Sequence, residues 1–248
     1  GSNHVLALTK DGKLYSFGSN SYGQLGRQGN TLIPQEIEGL ENVIKIAAST
    51  YHSMALTSEG NVYTWGYNGY GQLGEGESTS NITIAKKAKN MDQVKNIDTN
   101  TNHSIASDRS GFVYTTGYNA QGQLGNGTRE DSLVPVKVAG IKNVTKVNAY
   151  KYMTIALTQN GEVYAWGSGY GAKPVKLNFT RKIIDVSGNL VLAENRKAYN
   201  LDETKVYGKD LIKVVSGYNH YLGLTSDGEV YAWGSNSYGQ LGNGNNTS

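Results

Sequence analysis

Four histidines are the residues best suited to chemistry here: His4, His52, His103 and His220. Imidazole binds divalent metals and moves protons near neutral pH. Each histidine, however, opens a near-copy of one phrase: HVLALT, HSMALT, HSIASD or HYLGLT. None has a carboxylate or a second histidine at ligand spacing. Met153 and Gly188 hold the same position in two weaker copies, which would break a metal ring or an acid–base set. The expected role is therefore structural, with each imidazole serving its own repeat and bonding a neighbouring loop.

The other candidates also dissolve into repetition. GSNSYGQLG occurs at 18–26 and again at 234–242. It has the look of a glycine-rich phosphate loop, but neither a lysine–serine pair nor a helix follows it, and that chemistry requires both. Asp11, Glu59 and Asp227 sit in turn sequences (KDG, SEG and SDG) and form no carboxylate pair. No Gly-x-Ser-x-Gly elbow or metalloprotease signature is present. The chain has no cysteine, which removes disulfides, thiolate metal sites and thiol nucleophiles together. No enzyme, cofactor or metal is expected. The net charge of +3 is too small to argue for nucleic acid. The longest apolar runs, such as VIKIAA at 43–48, are too short for membrane insertion.

The elements that position these residues follow from the repeat. Turn glycines recur at Gly12, Gly60, Gly111 and Gly161, and again at Gly228, giving steps of 48, 51, 50 and 67 residues. A worn copy, GNLVLAENRKAYN at 188–200, fits the long step and puts Arg196 at the glycine position. Six units result. The fifth is degenerate, and the fourth and fifth lack the long loop. Within a unit, HVLALT alternates as a half-buried strand does, and KDG turns the chain. KLYSFG forms a second strand with Tyr and Phe on one side. VIKIAA forms a third, and IPQEI (33–37) a looser fourth. Four short strands per unit of about 50 residues fit a propeller blade, since a helical repeat would show a 3.6-residue period.

The pattern H-x-x-A-L-T-x-x-G-x-[VL]-Y-x-[WF]-G-x-N-x-x-G-Q-L-G resembles the regulator of chromosome condensation repeat, over essentially all of residues 1–248 as a single domain. The resemblance implies an all-β fold, a β-propeller of six to seven four-stranded blades. Two short units leave both a closed and an incomplete ring open. The chain starts at the second strand of a blade and lacks one connecting piece, as a slice of a longer array would. Gly1 and Ser2 fit either a cloning scar or the repeat itself.

No catalytic constellation competes with a binding or scaffold role, in which a rigid ring presents loops to an unidentified protein partner. The candidate contacts are loop tyrosines: Tyr22, Tyr70, Tyr170 and Tyr238, which precede the loop glycine, with Tyr67 and Tyr118 beside them. Exposed, they would form an aromatic rim; the alternative is that each ring packs over its neighbouring blade. Lys173, Lys176, Arg181 and Lys182 lie where two long loops are lost, and would edge a positive notch for an acidic partner or simply form a solvated face. The family resemblance also implies two other readings: guanine-nucleotide exchange on a Ran-type GTPase, and inhibition of an enzyme such as a β-lactamase. Exchange depends on a projecting wedge, for which no insertion is visible. Light sensing, known from a plant relative, relies on clustered tryptophans, whereas Trp65, Trp166 and Trp233 are simply repeat positions. The Asn-, Lys- and Tyr-rich style suggests a bacterial secreted or surface protein.

Overall fold

A computed structural model describes residues 1–29, 31–77 and 81–248. The described residues form strands and turns with no helix, in six antiparallel sheets that follow one another along the chain. The first sheet holds β1 (His4–Leu8), β2 (Leu14–Gly18) and β3 (Gln35–Glu36). The second holds β4 (Val43–Ala48), β5 (His52–Thr57), β6 (Val62–Gly66) and β7 (Ile82–Lys87). The third holds β8 (Val94–Asn100), β9 (His103–Asp108), β10 (Val113–Gly117) and β11 (Ser132–Lys137). The fourth holds β12 (Val144–Tyr150), β13 (Met153–Thr158), β14 (Val163–Gly167) and β15 (Gly171–Leu177). The fifth, the degenerate one, holds β16 (Ile183–Ser187), β17 (Leu190–Ala193), β18 (Ala198–Asn200) and β19 (Val206–Tyr207). The last has β20 (Leu211–Ser216), β21 (His220–Thr225) and β22 (Val230–Gly234).

The sequence unit is out of phase with the sheet. VIKIAA is the first strand of the next sheet, pairing with β5 rather than with β2. The looser IPQEI contributes only the two-residue β3. The hairpin turn needs a left-handed residue, which Gly60 supplies at φ 89°. In the degenerate unit the same place is taken by Arg196 at φ 60°, as the alignment of 188–200 requires.

Hydrophobic clusters fill the spaces between consecutive sheets. Leu14, Val43, Ala55 and Trp65 join the first two sheets. Met54, Val62, Ile97 and Ala106 join the second and third. Because β5 faces a neighbour on both sides, it buries all six of its residues. In β1 the equivalent positions Val5 and Ala7 are exposed, and β21 buries only two of its six. No strand of the first sheet pairs with the last among the described residues, so no shared sheet closes a ring. The two end sheets nevertheless meet one central cavity of about 470 Å³, lined by Gly1, Ala48, Thr99, Ala149 and Ser216 among others. This is how the two GSNSYGQLG copies, distant in sequence, come to belong to sheets around one axis.

Candidate protein-binding rim

The loop motif is built by its own side chains. Asn20, Asn68, Asn119 and Asn236 each accept from the backbone N–H of the motif leucine, at 2.9–3.1 Å. The motif glutamines Gln24, Gln72, Gln123 and Gln240 accept the N–H of the residue two places earlier, at 2.8–3.0 Å. Asn and Gln are thus folding elements of the loop.

The same loop fastens the next sheet. Ser53 Oγ and Trp65 Nε1 both donate to the Gln24 carbonyl, each at 2.9 Å. Thr154 and Trp166 do the same to Gln123, each at 2.8 Å. The histidines complete the joint: His4 Nε2 meets Ser53 Oγ at 2.8 Å, His52 Nε2 meets Ser104 Oγ at 2.9 Å, and His103 Nε2 meets Thr154 Oγ1 at 3.1 Å. Because Ser53 and Thr154 already donate to carbonyls, His4 and His103 must donate from Nε2. Burial drives all three imidazoles down, His52 to about 3 and His4 and His103 to about 4, so they are neutral at physiological pH. Each imidazole therefore reaches beyond its own repeat to a hydroxyl of the following sheet, further than the sequence suggested.

On the loop side, six tyrosine rings form an unbroken arc over the first four sheets. Tyr51 contacts Tyr22 at 4.8 Å between ring centroids, and Tyr22 contacts Tyr67 at 5.4 Å. Tyr67 contacts Tyr70 at 6.1 Å, Tyr70 contacts Tyr118 at 5.0 Å, and Tyr118 contacts Tyr152 at 6.0 Å. The rings are inclined by 54–76° along this path, the three inner pairs edge-to-face, as aromatic pairs favour, and the two end pairs tilted. Tyr22 and Tyr152 are exposed and the other four half-buried. No hydroxyl of the six has a hydrogen-bond partner among the described residues. By contrast Tyr150 donates to the Tyr218 carbonyl, and Tyr221 to Asn189. Burial and the neighbouring phenols Tyr70 and Tyr22 hold the Tyr67 phenol above its usual range, keeping it a protonated donor.

The arc comes at a local cost. In the first and last sheets, Ser19 and Ser235 accept the side-chain N–H of Gln24 and Gln240, at 3.3 and 3.4 Å. Tyr67 and Tyr118 stand at those serine positions in the second and third repeats. There the fully buried Gln72 and Gln123 keep Nε2 without a partner. An unsatisfied buried amide costs about 1–3 kcal/mol.

Tyr22, Tyr67, Tyr70 and Tyr118 are therefore brought together. Tyr170 instead packs on the core between the fourth and fifth sheets, because its loop is shortened. Tyr238 is 94% exposed in the last sheet and joins no ring contact. Tyr51 and Tyr152 belong to the arc and were missed. Hairpin register would have found Tyr51, because pairing His52 with Gly66 sets it opposite Tyr67; Tyr152 holds the same repeat position, just before Met153. Among the basic candidates, Lys176, Arg181 and Lys182 line one groove of about 380 Å³, while Lys173 lies beside Gly127. Lys176 pairs with Glu162 at 2.5 Å and Arg181 with Glu203 at 3.0 Å, so half of the four positive charges are neutralised locally.

Comparison with known proteins agrees with this architecture. Residues 1–173 match the RCC1-like domain, and residues 211–240 match the regulator of chromosome condensation (RCC1) repeat. The chain belongs to the RCC1-like domain family. The ultraviolet-B receptor UVR8 of Arabidopsis thaliana is 33% identical over 98% of this chain and 54% of its own length. Protein pim1 of Schizosaccharomyces pombe is 32% identical over 98% of this chain and 47% of its own length. This RCC1-like chain thus spans about half the length of those curated relatives, and far less of others. In structure it superposes on human WBSCR16 with a TM-score of 0.86, at 24% identity, covering 100% of this chain and 78% of that one. That likeness establishes the β-propeller fold. The relatives named here are eukaryotic and lend no support to a bacterial, secreted or surface origin. The three tryptophans of this RCC1-like chain stand in three separate sheets and make no ring contact with one another.

Proposed function

We propose that this RCC1-like chain is a non-catalytic protein-interaction module, that residues 1–248 act as one propeller unit, and that the tyrosine arc is its docking surface. One observation carries the reading: six contiguous tyrosines present ring surface and unused hydroxyls on one rim, at the expense of two buried amides. Tyrosine offers large contact area at low entropic cost, and Tyr with Ser, Gly and Asn is the composition of antibody paratopes. The loops SNSYGQ, YNGYGQ and YNAQGQ share that composition. The family gives precedent, since yeast Prp20 is described by its binding to Gsp1p and histones.

The test is a pull-down with the wild-type chain and with Tyr70→Ala/Tyr118→Ala, read by mass spectrometry. A partner retained by wild type and lost by the variant supports the rim. An identical partner set from both removes it. A nucleotide-release assay on any captured GTPase tests exchange separately.

A further inference from the structure

Resting on the rim reading, we propose that the arc's ligand is a proline-rich segment in the polyproline II conformation. The loops 19–24, 67–72 and 118–123 contain no Asp, Glu, Lys or Arg. The two charges that reach them, Arg129 on the Ala120 carbonyl and Asp131 on the Asn119 N–H, are of opposite sign and both held on the third loop, so the arc favours neither a basic nor an acidic peptide. Addition of a β-strand would need free main-chain donors. Those of Tyr22, Tyr70 and Gln121 are already held by the side chains of Gln24, Gln72 and Gln123. What the arc offers is hydroxyl donors and aromatic surface. A polyproline II segment presents the complement, because its carbonyls are unpaired and proline has no N–H to satisfy. Aromatic-lined grooves are a general mode of binding such segments.

Ring geometry favours proline over sugar. Neighbouring rings inclined by 54–76° present a stepped rather than a flat surface, against which compact pyrrolidine rings can pack. A stacked sugar would need flat open faces, which edge-to-face packing removes. Ring to ring, from Tyr51 through Tyr67, Tyr70 and Tyr118 to Tyr152, the arc spans about 23 Å at most. At about 3.1 Å per residue, an octapeptide in polyproline II covers that length. The preformed, stiff ligand loses little entropy on binding.

Octaproline and a Gly-Ser octapeptide, both with blocked termini, should be titrated into the full chain by calorimetry. Saturable binding of octaproline alone is expected. Tyr70→Phe and Tyr118→Phe keep the rings and remove hydroxyls without internal partners, so the fold is retained; each should weaken binding about five-fold. Absence of saturable octaproline binding overturns the assignment, as does binding unchanged in both Phe variants. Selection of random dodecapeptides on wild type and on Tyr70→Ala/Tyr118→Ala separates the two readings. Arc-dependent peptides poor in proline overturn the proline assignment and leave the rim standing; arc-dependent binding of chitohexaose in place of octaproline overturns the proline assignment and the protein-docking reading together. A selection with no arc dependence removes both.

Discussion

Trp166 donates its indole N–H across a sheet interface to the carbonyl of Gln123, at 2.8 Å. Trp65 repeats the bond to Gln24. Trp233 occupies the same repeat position, but the degenerate fifth sheet before it has no GQLG loop. Its Nε1 is buried without a partner, and its ring lies between Tyr207 and Tyr221. The three tryptophans should therefore respond differently to the same change. Trp166→Phe loses a real hydrogen bond, whereas Trp233→Phe removes an unsatisfied donor. The former should cost about 1–2 kcal/mol more than the latter in urea unfolding. Equal losses would mean that the Gln123 bond contributes nothing.

Acid should loosen the sheet joints. His52 and His103 are held neutral by burial, with folded values of about 3 and about 4 against an ordinary 6.5. Between those limits the unfolded chain binds protons that the folded chain does not. Stability therefore falls as pH drops below about 6.5, and it is intact above. At pH 5 each of the two should withhold about 2 kcal/mol. Thermal melts from pH 7.5 to 4.5 should show this fall, and His103→Gln should flatten it. A melting temperature independent of pH over that range would contradict the joint.

Arg196 occupies the left-handed turn position that glycine holds in the other five units, and its side chain is exposed. A side chain there costs about 1–2 kcal/mol relative to right-handed backbone, and glycine removes that cost at some expense in unfolded-state entropy. Arg196→Gly should raise stability by about 0.5–1 kcal/mol, measured by chemical denaturation. A destabilised variant would show that the turn is held by something other than its backbone.

The sequence carried the fold because each level repeated the same statement. The turn glycines marked the hairpins, and the worn phrase at 188–200 still placed Arg196 at a positive φ. Strand phase was less legible. VIKIAA follows the loop of one unit, yet hydrogen-bonds within the next sheet, and no local propensity distinguishes those partners. The site was half visible. Tyr22, Tyr67, Tyr70 and Tyr118 could be read from loop position, while Tyr51 needed hairpin register and Tyr152 its equivalence to Tyr51 in the repeat. Tyr170 could not be excluded by pattern, because its burial follows from the way a shortened loop folds back onto the core. The partial pairing of the basic candidates was hidden for a similar reason: Glu162 and Glu203 are 14 and 22 residues from their partners Lys176 and Arg181.

The exchange of serine for tyrosine in the second and third repeats sets binding against stability. Ser19 accepts the Gln24 amide, and Tyr118, at the equivalent place, leaves the Gln123 amide orphaned. Tyr118→Ser and Tyr118→Ala remove the same ring contacts with Tyr70 and Tyr152. They differ in whether a hydroxyl returns to Gln123. Both should abolish the ring's share of binding equally. The serine variant should be more stable than the alanine variant by about 1 kcal/mol, the value of one buried hydrogen bond. Chemical denaturation of the pair, alongside peptide binding, measures both quantities. If the two unfold at the same denaturant concentration, Gln123 was never short of a partner, and the arc carries no cost to the fold.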